Sequence, residues 1–452
     1  MIRITCHNDN VHERKYAIDI LFHTLLEIEN DAYDIVFEDS STSYVIEFNG
    51  HHVIIEDHFF RNFPEPLSYF NIRNIPTELN FFHTQEKEIP IIYGIDKFEK
   101  KERTTTIGLD IFASTFFMVT RWEESLLGRE ERGDCDEKLL FAVKNNIYMH
   151  PIVHEYEELL RELLGAGGVS CEKKRKYHVV LSHDVDGFIT PSWKRIVKDI
   201  WLQTIHGAPK NKILNLTWKE KIKYKFAFPT AYSQFEKYTA LSEKNNIQEW
   251  FYFKVCDKGE KEATYIYKDK QTKEIVENLK EKKNPNIIIG FHPSQNMFGR
   301  KEQWNKEVSR INTLLHENPN IGRNHHLLYN SEILRWWEKI TEAPLNISNC
   351  VFHRRQGFRS GICIPYPVFD LFQRRMMNLI EHPCQIMDTI IRYDEKNKSN
   401  DERSNDIQNV IEKVKKYQGE LVLTWHIYIR NKKIIQDYYF WCEKAINYAV
   451  KK

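Results

Sequence analysis

The residues that could do chemistry in this chain stand where short apolar runs end. Val179-Val-Leu-Ser leads directly into His183-Asp-Val-Asp-Gly187. In an extended chain alternate residues share a side, so Asp184 and Asp186 leave the run facing the same way. Two carboxylates this close repel when both are ionised, so a cation or a proton belongs between or beside them. One can ligate a metal while the other handles a proton; the same pair also suits an N-cap cluster in an ordinary loop. Ile287-Ile-Ile-Gly-Phe delivers His292, and Pro293 then halts the strand. Histidine is the commonest metal ligand near neutral pH. Glu420-Leu-Val-Leu-Thr-Trp delivers His426 in the same manner. Gly322-Arg-Asn-His325-His326 offers neighbouring histidines that point in different directions, so at most one enters a common site. Gln356-Gly-Phe-Arg359-Ser-Gly361 sets an arginine between glycines, where a guanidinium could clamp a carboxylate or simply face solvent in a turn. Each segment alone is weak. Three apolar strands ending in Asp, His and His argue for convergence on one mouth.

The elements that must position these residues form a rhythm downstream of residue 172. Short β-rich runs at 177–182, 249–255, 286–291 and 420–425 alternate with amphipathic stretches at 231–243, 272–282, 302–316 and 331–340. Strands alternating with helices predict parallel βαβ architecture, with ligand sites at the carboxyl ends of the strands. Upstream the character differs. Residues 44–56 predict a hairpin turning at Asn49-Gly50, residues 89–94 a short strand, and Asp110–Glu124 a buried helix. Gly165-Ala-Gly-Gly-Val-Ser followed by Glu172-Lys-Lys-Arg-Lys has the composition of a linker. The division expected is 1–172, a smaller mixed α/β accessory domain, and 173–452, an α/β domain of barrel type.

Composition removes several classes. Sixty-five basic against 64 acidic residues leave a net charge of +1, which gives no reason to expect a nucleic-acid partner. The lysines between 210 and 225, interleaved with Trp218, Tyr224 and Phe226, read as a solvated helix face. Eight cysteines, at 6, 135, 171, 256, 350, 363, 384 and 442, make neither CxxC pairs nor a disulfide framework, and so read as buried free thiols in a reducing compartment. No signal-like or membrane-spanning run is present, which predicts a cytoplasmic protein. GxSxG, HExxH, P-loop and GxGxxG patterns are lacking as well.

Taken together and in order, these segments resemble the polysaccharide deacetylase superfamily over residues 177–430. They resemble in particular a bacterial branch with an extra N-terminal domain and HDVD, GxHPS, RxHxL, GFRxG and WH motifs. Here these read His183-Asp-Val-Asp186, Gly290-Phe-His-Pro-Ser294, Arg323-Asn-His-His-Leu327, Gly357-Phe-Arg-Ser-Gly361 and Trp425-His426. Trp250-Phe-Tyr-Phe253 resembles the branch's aromatic strand, and Phe112–Phe117 with Arg121-Trp-Glu-Glu124 its N-terminal domain. The resemblance implies a distorted (β/α) barrel that binds one divalent ion, most commonly zinc, and removes an N-acetyl group from an amino sugar. It implies Asp184 as general base, Asp186 and His292 as metal ligands, Arg359 holding the base, and His426 as the acid oriented by Asp388. Two positions depart from the pattern: Asn296 stands where familiar members carry a second histidine, and Leu345–Cys350 lacks an acidic residue that the branch usually has. Zinc prefers imidazole to an amide oxygen, so the expected third ligand is His325 from the RxHxL segment. The expected partner is an N-acetylated sugar or oligosaccharide precursor of surface-polysaccharide assembly. The rival expectation is a degenerate relative that binds carbohydrate or a biosynthetic partner without turnover.

Overall fold

The structure is a computed structural model. It describes residues 1–188 and 232–451 except 258–259, 261, 263–264, 283, 391–397 and 428–431, together with residues 197, 201, 219 and 222. The predicted lysine-rich helix face at 210–225 lies, apart from Lys219 and Ile222, outside the described residues.

The protein is mixed α/β. Upstream, β1 (Ile2–Cys6), β2 (Tyr33–Phe37), β3 (Ser43–Phe48) and β4 (His51–Glu56) share a six-stranded sheet with two later strands. β3 and β4 form the expected hairpin, with Phe48 opposite His51. Asn49 and Gly50 both take positive φ, 48° and 73°, which is the backbone that a two-residue type I′ turn requires. β5 (Asn80–His83) pairs with β6 (Glu88–Ile91) as a separate ladder, while β7 (Gly94–Lys101) and β8 (Thr104–Leu109) complete the sheet in the order β2-β1-β3-β4-β8-β7. The helix Ile111–Thr120 begins where the Asp110 carboxylate accepts from the Ala113 amide and ends at Arg121, whose φ is 51°. All ten of its residues are buried, as an almost wholly apolar run demands.

Downstream, nine strands form one curled sheet. They are β9 (His178–Val185), β10 (Gln248–Phe253), β11 (Ile287–Phe291), β12 (Ile321–Gly322), β13 (Leu345–Ile347), β14 (Tyr366–Asp370), β15 (Arg375–Glu381), β16 (Cys384–Met387) and β17 (Glu420–Thr424). Their order is β14-β15-β13-β12-β11-β10-β9-β17-β16, and every pairing is parallel except the edge strand β14 against β15. The helices between them, such as Lys270–Glu281 and Lys301–Leu315, turn their apolar stripes onto the sheet's outer face.

The curl is visible in what fills its concave side. Val180, Trp250, Tyr252, Ile321, Cys384 and Val422, from strands far apart in the sheet, belong to one buried cluster. Arg323 lies among them, 0% exposed, with its guanidinium 4.8 Å from the Tyr252 ring. Its Nη1 donates to Ser182 Oγ at 3.1 Å and Thr424 Oγ1 at 2.8 Å, and its Nε to the Ser348 carbonyl at 2.7 Å. A side chain that reaches β9, β17 and the end of β13 at once can do so only inside a curled sheet.

The upstream core is built chiefly from residues 2–164, but it also takes in Ile362, Ile364, Tyr366, Phe369 and Leu371 from the downstream part. All eight cysteines are free, and only Cys171 is not buried. Among the described residues no helix is long and apolar enough to cross a membrane.

Candidate metal and acid–base site

Six neighbouring strands, β12-β11-β10-β9-β17-β16, bring their carboxyl ends to one place. β9 runs out through Asp184 and Asp186, β11 ends before His292, β12 before Arg323–His325, β17 before His426, and β16 before Asp388. The exit of β9 is pinned rather than loose. The Ile427 amide donates to the Asp184 carbonyl, and the amides of Asp186 and Gly187 both donate to the Ile427 carbonyl, all at 2.9 Å.

Asp186, His292 and His325 can each offer one ligand atom, all within 4.8 Å of one another. His292 Nε2 and His325 Nε2 lie 3.9 and 3.8 Å from the same oxygen, Asp186 Oδ1. Both imidazoles are fixed from behind. His292 Nδ1 meets the Arg323 carbonyl at 2.6 Å, and His325 Nδ1 meets Glu262 Oε2 at 3.0 Å. An Nδ1–H so engaged leaves the Nε2 lone pair free to coordinate. Burial holds His292 down to about 3, against the pull of Asp184, so the ring is neutral. Its Nε2 is buried with no hydrogen-bond partner. Orphaned buried polar atoms are rare and call for an occupant; with a carboxylate and a second imidazole beside it, this one fits a divalent ion.

Asp184 is divided between two tasks. Arg323 Nη1 holds its Oδ1 at 3.0 Å, while Oδ2 lies 3.8 Å from His292 Nε2 and 3.7 Å from His426 Nε2. Burial opposes its charge, yet Arg323, His292 and His426 outweigh burial and hold the carboxyl at about 2. His426 receives two bonds from Asp388: the carboxylate meets Nδ1 at 2.7 Å and accepts from the backbone amide at 2.9 Å. Burial disfavours its cation, but the Asp388, Asp184 and Asp186 carboxylates overcome this and raise the imidazole to about 9. The result is an ionised carboxylate facing a protonated histidine beside a cluster of metal-binding type.

The arginine expected to hold Asp184 was Arg359, and here the structure differs. Arg359 Nε donates to Glu124 Oε1 at 2.8 Å, and its Nη1 to the Val351 carbonyl at 2.6 Å with Glu137 at 3.5 Å. It is 9% exposed and anchors two upstream carboxylates, whereas Asp184 is held by Arg323 from the RxHxL segment. A motif position shows that an arginine is present but not which carboxylate it meets once the sheet has curled. His183 is likewise occupied structurally, between the Trp425 carbonyl at 2.7 Å and Glu249 at 3.1 Å. Asn296 is exposed and contributes its backbone amide, not its side chain, to Glu262.

Sequence reasoning passed over Glu262 and Lys254. Lys254 follows β10 and places Nζ 2.5 Å from Asp186 Oδ1; no motif marks either residue. A cleft of about 680 Å³ opens beside the site, lined by Arg132, Asp134 and Lys138 from upstream and by His326, His353 and Arg355 from downstream. His326 reaches it because φ of 56° turns this residue away from the ligand position, with its ring stacked on His325 at 3.9 Å.

Residues 2–167 match a family described as of unknown function (DUF7033). No curated protein matches the chain. One solved structure that resembles it is a candidate polysaccharide deacetylase involved in O-antigen biosynthesis from Bordetella bronchiseptica. That likeness covers 56% of this chain and 72% of the other, at 13% identity and a TM-score of 0.27, an overlay too loose to bear on the site.

Proposed function

We propose that the protein is a divalent-metal-dependent hydrolase that removes an N-acetyl group from an amino sugar, working on a distorted (β/α) barrel of the polysaccharide deacetylase type. The observation that carries this reading is the convergence of Asp186, His292 and His325 beside the Asp184/His426 pair. Asp186 Oδ1, His292 Nε2 and His325 Nε2 would hold the ion, for which zinc suits two imidazoles and one carboxylate. When bound, such an ion supplies Lewis acidity toward an amide carbonyl and lowers the pKa of a ligated water.

The chain's own residues supply the proton chemistry. Asp184 Oδ2, left open by the Arg323 clamp on Oδ1, accepts the proton of the attacking water. His426, protonated through Asp388, gives its Nε2 proton to the departing amine nitrogen. Arg323 keeps Asp184 ionised and oriented, a task that the resemblance gave to Arg359. The neighbouring cleft is of a size to take a sugar-bearing substrate, and a nucleotide- or lipid-linked N-acetylated precursor of surface polysaccharide is the proposed partner.

The rival reading, carbohydrate binding without turnover, draws on Lys254, whose ammonium forms an ion pair with Asp186. One experiment separates the two. Metal analysis of the purified protein is paired with acetate release from a panel of free, nucleotide-linked and oligomeric N-acetylated sugars. Stoichiometric metal with metal-dependent acetate release is the expected result; sugar binding with neither would establish the rival.

A further inference from the structure

Lys254 sits where the proposed ion would be felt most. Its side chain is 1% exposed, and its Nζ donates to the Glu262 carbonyl at 3.0 Å besides meeting Asp186 Oδ1 at 2.5 Å. The Tyr265 hydroxyl accepts the Lys254 amide and donates to the Val185 carbonyl, both at 2.8 Å. One phenol thus braces the backbone of the lysine and that of the carboxylate strand against each other. Asp186 Oδ1 is also the oxygen that faces both His292 Nε2 and His325 Nε2.

A buried ammonium must have a counter-charge, and Asp186 is the carboxylate against it. A divalent ion at the same oxygen brings two further positive charges within a few ångströms of Nζ. Lysine carries its charge on a flexible four-carbon stem, so the ammonium can withdraw where a rigid group could not.

We propose that Lys254 is a tethered cation that competes with the divalent ion for Asp186, so that metal uptake and release of the ammonium are a single exchange. The inference rests on the reading of Asp186, His292 and His325 as the metal site. It makes the ion exchangeable and occupancy responsive to free metal, and it gives the empty site a charge-balanced resting state.

Zinc affinity, measured by competition with a chromophoric chelator on the full-length protein, tests this. Lys254→Met should bind zinc roughly tenfold or more tightly than the wild type, since a unit charge near a divalent ion is felt even at water-like screening. Lys254→Arg, which keeps the charge, should not show the gain. A second measurement needs no variant: trace acylation by acetic anhydride, read by peptide mass spectrometry, should find Lys254 more reactive when zinc is added. Equal or weaker zinc binding by Lys254→Met, or zinc leaving Lys254 no more reactive than before, overturns the exchange. If zinc binds and is lost in His292→Ala while Lys254→Met is unchanged, only the lysine proposal fails. If the wild type and Lys254→Met both take no divalent ion, the metal-site reading fails with it.

Discussion

Asp184 and Asp186 are two residues apart, and the proposed function gives them different work, which makes the assignment testable by mutation. Asp184→Asn should cut acetate release on the order of 10²–10⁴-fold, the usual worth of a general base, while zinc affinity stays near that of the wild type. Asp186→Asn should weaken zinc binding first and lose activity as a consequence; comparable zinc affinities in the two variants would contradict the assignment. Arg323→Gln and Arg359→Gln should part in the same way. Arg323→Gln strips the buried Asp184 of its partner and should abolish turnover. Arg359→Gln leaves Asp184 clamped and should appear as lost stability, on the order of 3–5 kcal/mol for a broken buried pair, read by chemical denaturation. Before folding, Arg323 was legible only as part of a motif. Its role depends on a side chain crossing the concave face of the sheet, and no local pattern encodes that crossing. Lys254 and Glu262 were illegible for a similar reason, since each is defined by a neighbour distant in sequence.

Among the elements, legibility followed length. β9, β10, β11 and β17 each span five or more residues of apolar or β-branched character and were predicted within a few residues of their observed ends. β12 and β13, two and three residues long, are too short to show any period. They exist because the neighbouring strands offer them partners. Yet β12 carries Arg323 and His325 into place, and its fit is tight. A Cβ on Gly322 would run into the Trp337 ring. That indole donates to Asn324 Oδ1 at 2.9 Å, and the Asn324 amide donates to Asn349 Oδ1 at 2.9 Å. Gly322→Val should therefore cost about 1–3 kcal/mol of overpacking and also reduce zinc affinity, seen as a lower melting temperature together with weaker chelator competition. At the opposite end of the sheet Glu420 opens β17. It bonds His178 Nε2 at 2.9 Å and His382 Nδ1 at 2.7 Å. Burial opposes its charge, but these two rings overcome that and hold the carboxyl at about 2. A carboxylate depressed in the folded state adds stability above its unfolded pKa and loses it as pH falls toward the folded one. The stability gap between wild type and Glu420→Gln should thus be full between about pH 4.5 and 6, where His178, raised by this same carboxylate, is still protonated, and narrow by about 1 kcal/mol per pH unit below that range. Urea titrations at pH 6 and 3.5 that show a constant gap would refute this.

For the whole molecule, we propose a division near residue 172, as linker composition suggests, but the two parts are closely joined. Glu13, buried, pairs with Arg374 at 2.7 Å; Tyr16 donates to the Pro367 carbonyl; and Ser331 Oγ donates to Glu130 at 3.1 Å. Cys363 Sγ faces His154 Nε2 at 3.3 Å, and His154 Nδ1 faces Glu157 at 2.7 Å. The order is that of a nucleophile, base and orienting acid, but all three are fully buried and burial pushes the thiol upward, so the row acts as a staple. Residues 173–452 expressed alone should therefore aggregate, with Ile362, Ile364, Tyr366, Phe369 and Leu371 stripped of their cover. Co-expression of residues 1–172 as a separate chain should recover a soluble complex, detectable by size-exclusion chromatography; a soluble, monomeric downstream fragment would argue against so tight a joint. The cleft beside the candidate metal-binding residues belongs to this joint, with Arg132, Asp134 and Lys138 forming one wall and His326, His353 and Arg355 the other. A mouth whose walls come from different stretches of the chain can be retuned from either side, yet it keeps its shape only as a pair. Exchanging one half without the other would leave the proposed acid–base groups intact and hand them a doorway cut for a different guest.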